Sequence, residues 1–213
     1  MGPRQIDTVI FDLGGVLAAT GRHSDFARRF PGEDPQVITR IIVGDYGEDG
    51  DHPWHRLERG EITMAENRRL NRAAFEAAGI TLPTPPAGGA PAIEWALNDP
   101  VVQLAYDLKA AGLRLGVLTN NVLEFKDSWR PMLPFDELFD DIVDSHEVGM
   151  RKPNPAIYQL ALARLGAEAG RTAFLDDVQS NVDAADRVGM RGVLVDEDPL
   201  PAVGIVRGWA ALD

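Results

Sequence analysis

From residue 96 onward the chain alternates short apolar runs with segments of helical length, and helix-starting and helix-stopping residues mark the joins. Asp99-Pro100 reads as an N-cap and first-turn pair that opens a helix through Ala111, stopped by Gly112. Leu113 to Leu118 then reads as a strand ending at Thr119-Asn120-Asn121, and Ile142-Val143-Asp144 as a short one. Asn154-Pro155 opens a helix through Leu165 with Gly166 behind it. Ala173 to Leu175 is a strand ending at Asp176-Asp177, Ser180 to Val188 a helix stopped by Gly189, and Gly192 to Val195 a last strand. Strands separated by helices of this length pair in parallel, because each crossover returns the chain to the same sheet edge. The expected fold is α/β, with a doubly wound parallel sheet.

Near the start, Thr8-Val9-Ile10-Phe11 is a further apolar run, broken at once by Gly14-Gly15. A strand buried on both faces reads as such a continuous run. Asp12 therefore stands just beyond a strand end, where open α/β sheets place their ligands, although an Asp there can also simply cap a turn. Residues 18 to about 95 carry no strand pattern. Phe26 to Phe30, Val37 to Val43 and Thr63 to Ala78 read as amphipathic helices, the last with a capping box at Thr63-Met64-Ala65-Glu66. A Pro/Gly-rich segment from Leu82 to Pro91 follows and suits a linker. The expected organisation is a core of residues 1–17 and 96–213 and an inserted helical cap of residues 18–95. The cap would lie over the sheet's carboxyl edge as a lid, or serve only as a structural lobe.

Composition narrows the function. At 213 residues with no cysteine, the chain has no disulfide, thiolate nucleophile or cysteine zinc site. Residues 1–7 lead into the first strand without a secretory apolar segment, and no stretch approaches the roughly 20 apolar residues that span a bilayer. The expectation is a cytoplasmic protein with no membrane partner. A net charge of −12 argues against nucleic acid, whose phosphates call for a basic surface. An anionic small molecule would then need a locally positive site. Oligomeric state is not encoded in any feature of the sequence.

The strand ends supply the chemistry. Asp12, Thr119-Asn120 and Asp176-Asp177 each follow a separate apolar run, and parallel topology gathers such ends at one edge. Carboxylates there could hold Mg²⁺, a hard ion that prefers oxygen ligands. Thr119 and Asn120 offer donors to an anion, and Lys152 in the loop Gly149-Met150-Arg151-Lys152-Pro153 is the local cation. Taken singly, each also has an ordinary reading as a turn, a helix start or a solvated lysine.

In its motifs the chain resembles the haloacid dehalogenase superfamily, in particular capped phosphatase-like members similar to the phosphatase domain of soluble epoxide hydrolases. The resemblance rests on Phe11-Asp12-Leu13-Gly14-Gly15-Val16, on Leu118-Thr119-Asn120-Asn121, on residues 149–158 (GMRKPNPAIY) and on residues 174–185 (FLDDVQSNVDAA), in that order. It implies a Rossmann-like core with Asp12 as the nucleophile that accepts a phosphoryl group. Lys152 would assist catalysis and, with Thr119 and Asn120, bind phosphate. Mg²⁺ would be held by the Asp12 carboxylate, the Gly14 carbonyl and Asp177, with Asp176 and Asn181 supporting them. The substrate would be a small phosphomonoester. One departure matters: the phosphatases usually carry a second Asp two residues after the nucleophile as general acid/base, and here that position is Gly14. Such help is typically worth about 10²–10⁴-fold. Two alternatives therefore accompany a slow phosphatase. One is a phosphate-binding or regulatory protein without the chemistry. The other is a metal-free dehalogenase, which the Asp176-Asp177 pair disfavours.

Other features carry less. His23 follows the first motif and could replace the missing acid. His52 and His55 have the spacing of a metal pair on a helix, but Pro53 interrupts them and no third ligand is evident. Asp45, Asp49 and Asp51 fail as a calcium loop, because Gly47 takes its third position and Arg56 its twelfth. Trp54 and Trp95 read as packing residues.

Overall fold

In the computed structural model, which describes residues 2–20, 27–28, 30–83 and 95–212, five parallel strands form one sheet in the order β3-β2-β1-β4-β5. The strands are β1 (Thr8–Phe11), β2 (Arg114–Thr119), β3 (Asp141–Asp144), β4 (Thr172–Asp176) and β5 (Arg191–Leu194). Each predicted strand is present, with ends displaced by a residue or two. All four residues of β1 are buried, as a central strand covered on both faces requires. The chain order turns around at β1: β2 and β3 lie on one side of it, β4 and β5 on the other. That reversal opens a crevice beyond the carboxyl end of β1, the place where such sheets bind ligands.

Side chains alternate along each strand and build two cores. Val9, Phe11, Leu115, Val117 and Leu175 pack on one face against α4 (Asp99–Ala110) and α10 (Leu200–Ala210). Ile10, Leu118, Val143 and Phe174 pack on the other against α8 (Pro155–Leu165) and α9 (Gln179–Arg187); the short helices α5 (Lys126–Trp129), α6 (Phe135–Leu138) and α7 (Ser145–Val148) lie between β2 and α8 in the chain. The predicted caps hold at α8, where Asn154 Oδ1 accepts from the Ala156 N–H at 3.0 Å and Gly166 takes the left-handed conformation. Helix α4 begins at Asp99 itself, with Asn98 before it and no side-chain cap, so the expected Asp99 cap is displaced by one residue.

Between β1 and α4 lie α1 (Pro35–Val43), α2 (Pro53–Glu58) and α3 (Met64–Ala77). Thr63 caps α3 as expected, its Oγ1 accepting from the Glu66 N–H at 3.2 Å, while the Glu66 carboxylate bonds Arg69. Phe30, Ile38 and Phe75 form a small core of their own, with Phe30 and Phe75 stacked at 4.9 Å. A second cluster, Val43, Trp54 and Leu57, closes on Val122 just after β2 and so seats these helices on the sheet's carboxyl edge. The two connecting segments run side by side: Ala19 N–H donates to the Ala96 carbonyl and Asn98 N–H to that of Leu17. Phe26 and Arg29, His23 and most of the Pro/Gly-rich segment lie outside the described residues.

Helix α2 departs from the expectation at His52. Pro53 does not interrupt a helix but begins one, since its missing N–H costs nothing in the first turn. His52 is the N-cap, its Nδ1 accepting from the Trp54 N–H at 3.1 Å, and His55 Nδ1 accepts from Gly50 N–H at 3.1 Å. Each imidazole thus holds a main-chain donor with one nitrogen. Burial, reinforced by the Arg151 charge, pushes His55 down to about 4, so it is neutral near pH 7. Trp54 packs as expected and Trp95 donates from Nε1 to Ser128 Oγ at 3.0 Å.

Candidate active site

Asp12 follows β1 directly, and its N–H donates to the Leu175 carbonyl, fastening the turn to the neighbouring strand β4. Asp176 ends β4, and Asp177 starts the turn into α9. Asp12, Asp176 and Asp177 each present an oxygen within 4.8 Å of the others. Gly15 makes this approach possible. Its φ is +76°, and a Cβ there would stand 2.4 Å from Asp177 Oδ2, so the absent side chain leaves the space in which the Asp177 carboxylate sits.

Lys152 enters from the loop before α8 and is almost completely buried. Its Nζ lies 2.9 Å from Asp12 Oδ1 and 2.6 Å from Asp176 Oδ2. Burial works against its charge, but Asp12 and Asp176 outweigh that and hold the ammonium above its usual range. Asp12 is pushed up to about 7, first by burial and then by Asp176, with Lys152 opposing both. Asp176 has further partners: Asn181 Nδ2 at 3.1 Å from each carboxylate oxygen, and the Val178 N–H at 2.8 Å. Asn181 therefore holds both oxygens of Asp176.

Three carboxylates converge here beside one ammonium, in a largely buried space. Carboxylates this close repel unless a cation joins them. The donor set is entirely oxygen, so these residues fit Mg²⁺. Asp12 and Asp177 would hold it, with the Gly14 carbonyl in the same loop, while Lys152 already takes Asp176.

Thr119 is buried at the carboxyl end of β2, on the same edge and in register with Asp144 of β3. Asn120 differs from its expected part. Its Oδ1 accepts from Lys152 N–H at 2.8 Å, and its Nδ2 donates to the Lys152 carbonyl at 3.0 Å and to the Tyr46 hydroxyl at 3.2 Å. The side chain clamps the main chain of Lys152 and has no N–H left for an anion. Sequence reading also missed Glu58 and Arg151, both fully buried and paired at 2.8 Å across 93 positions. Only the identity of Arg151 as neighbour to Lys152 hinted at it, and nothing in the sequence linked it to Glu58.

A parallel sheet with a buried aspartate beyond its central strand, a lysine between that aspartate and a second one, and helices over the carboxyl edge define a hydrolase architecture of one class. Residues 6–189 match the haloacid dehalogenase-like hydrolase family, and the chain belongs to it. It is 33% identical over 200 residues to mouse (Mus musculus) bifunctional epoxide hydrolase 2, covering 87% of this chain but only 35% of that protein. It is 34% identical over 225 residues to phosphatase MT3486 of Mycobacterium tuberculosis, covering 97% of this chain and 95% of the relative. Among solved structures, the fold matches a HAD family enzyme of Bacteroides thetaiotaomicron in complex with magnesium and inorganic phosphate. That match has a TM-score of 0.61 at 18% identity and covers 91% of this chain and 96% of the other. Among the described residues, no helix is long and apolar enough to cross a membrane.

Proposed function

We propose that this protein is a Mg²⁺-dependent phosphatase of small phosphomonoesters that works through an aspartyl phosphate on Asp12. The observation that carries the reading is the convergence of three carboxylates, the buried Asp12 and Asp176 bridged by Lys152 and the half-buried Asp177 beside them. A nucleophilic carboxylate splits hydrolysis into two easier displacements. An Asp12 oxygen attacks phosphorus and the P–O bond to the alcohol breaks; water then releases phosphate and restores the carboxylate. Lys152 aims Asp12 and presents N–H donors to the phosphoryl oxygens, with Thr119 beside them. Bound Mg²⁺ would neutralise phosphoryl charge as the anionic nucleophile approaches. In this reading residues 1–17 and 96–213 are the catalytic core, and residues 18–95 are a cap that closes over it. The Mycobacterium relative, named a phosphatase and matched along almost its whole length, supports the reading.

Metal binding gives a first test. Mg²⁺ at about a hundredfold excess over its Kd should raise the melting temperature by about 5–10 °C. Asp177→Asn should lose most of that shift. Equal shifts in both proteins would mean general screening and no site at Asp177.

Gly14 supports a second reading, a phosphate-binding protein without turnover, because no side chain stands there to protonate a leaving group. The leaving group separates the two. An aryl phosphate departs as a weak base and needs little protonation, whereas an alkyl phosphate departs as a strong one. A phosphatase with glycine at this position should turn over aryl phosphates about 10²-fold or more faster than alkyl ones. The left-handed residue of the Gly14-Gly15 pair is Gly15, so Gly14→Asp meets no such backbone strain and should narrow the gap. No turnover of either ester, with phosphate still bound, establishes the binding protein. Comparable rates on both esters place a proton donor elsewhere, and His23, outside the described residues, is then the residue to replace.

A further inference from the structure

The buried contacts between the helices that follow β1 and the loop carrying Lys152 form a closed circuit. Glu58, the last residue of α2, is 1% exposed and accepts three donors. Arg151 Nε reaches its Oε2 at 2.8 Å, and its Oε1 takes Trp54 Nε1 at 2.7 Å and the Tyr46 hydroxyl at 2.9 Å. The same Tyr46 oxygen accepts from Asn120 Nδ2, and Asn120 grips both the N–H and the carbonyl of Lys152. The Arg151–Lys152 peptide closes the ring. The Arg151 guanidinium also lies over the Tyr46 ring, 4.7 Å from its centroid, so the aromatic face and the hydroxyl both serve the same circuit.

A fully buried ion pair is a weak way to gain stability, since desolvation offsets most of the attraction, but it fixes geometry closely. Here the geometry it fixes is that of Lys152, whose Nζ must meet Asp12 and Asp176 together. Both main-chain groups of that lysine are held by Asn120, and Asn120 is held in turn by the hydroxyl of Tyr46, in the turn between α1 and α2.

We infer that Glu58 and Tyr46 are positioning residues for Lys152, so that seating the inserted helices on the sheet edge and aligning the phosphate-binding cation are one event. This rests on the phosphatase reading for its effect on turnover, and on the hydrogen bonds alone for its effect on the lysine.

Tyr46→Phe is the decisive variant, because it keeps the ring under Arg151 and the Glu58–Arg151 pair and removes only the hydroxyl. With an aryl phosphate and Mg²⁺, kcat should fall about tenfold, the cost of a slightly misplaced group, while KM stays within about twofold. In an Asn120→Ala background the same substitution should have no further effect, since the link it cuts is already gone. Exchange of the Lys152 amide, followed by NMR without substrate, should quicken about tenfold in Tyr46→Phe and in Glu58→Gln as Asn120 loosens its hold. A Tyr46→Phe protein with wild-type kcat and wild-type amide exchange overturns the inference. So does a fall in kcat with unchanged exchange, which would put Tyr46 against the substrate itself. A wild type that hydrolyses no phosphomonoester overturns the phosphatase reading instead, and the amide rates alone then decide the positioning role.

Discussion

Asp12→Asn is expected to abolish turnover of aryl phosphates, by at least about 10³-fold, while leaving the protein folded. The amide is nearly the same size as the carboxylate but is no nucleophile toward phosphorus. Its effect on stability has the opposite sign to the usual loss of a buried ion pair. Burial and the neighbouring Asp176 push the Asp12 carboxyl up to about 7, against 3.8 for a free side chain, with Lys152 only partly opposing them. A group with a raised folded pKa favours the native state when protonated, and that contribution is lost as pH climbs through about 7. Without divalent metal at pH 8, the permanently neutral Asn should therefore melt no lower than wild type. Thermal denaturation in chelator, beside a steady-state assay, checks both halves. A retained rate above a few per cent of wild type removes Asp12 from the role of nucleophile.

Lys152→Met is expected to be the most destabilising single change at the site. The ammonium is buried between two carboxylates at 2.6 and 2.9 Å, and Met fills the space without replacing the charge. Removing one member of a buried charge cluster costs about 3–5 kcal/mol, because the remaining charges are left unpaired in a poorly solvated place. For a chain of this length that is a drop of about 6–20 °C in melting temperature. Asp12→Asn in the same molecule should return part of the loss, since one of the two carboxylates then carries no charge. Mg²⁺ should return part as well. A loss below about 1 kcal/mol in chelator would show that Lys152 is solvated, which its 1% exposure contradicts.

The strands and the site carboxylates were legible because both are local signals. Apolar runs ended by Asp12, Thr119 and Asp176 need no knowledge of the fold, and parallel topology brings those ends to one edge. Helix α10 is not legible in the sequence, because Gly204, Gly208 and Pro201 weaken its helical signal. It is held instead by Ala202, Val206 and Ala210, spaced four apart and buried in the same core as α4. Helix α2 has no such local signal, because a proline reads as an interruption, whereas Pro53 is its first residue. Asn120 illustrates a different limit. Its type and place suggested an anion ligand, and only three-dimensional contacts show its amide holding Lys152. The Glu58–Arg151 pair lies beyond any local reading, since neither residue has a neighbour in sequence that announces the other.

The central claim is a covalent phosphoryl group on Asp12, and borohydride reduction tests it most directly. Wild type is mixed with an aryl phosphate and Mg²⁺, quenched during turnover and treated with sodium borohydride, which reduces an aspartyl phosphate to homoserine. Peptide mass spectrometry should then find homoserine at position 12, in proportion to active protein, and none when phosphate ester is left out. Turnover with an intact Asp12 in every peptide, or with the reduced residue at Asp176 or Asp177, would contradict it.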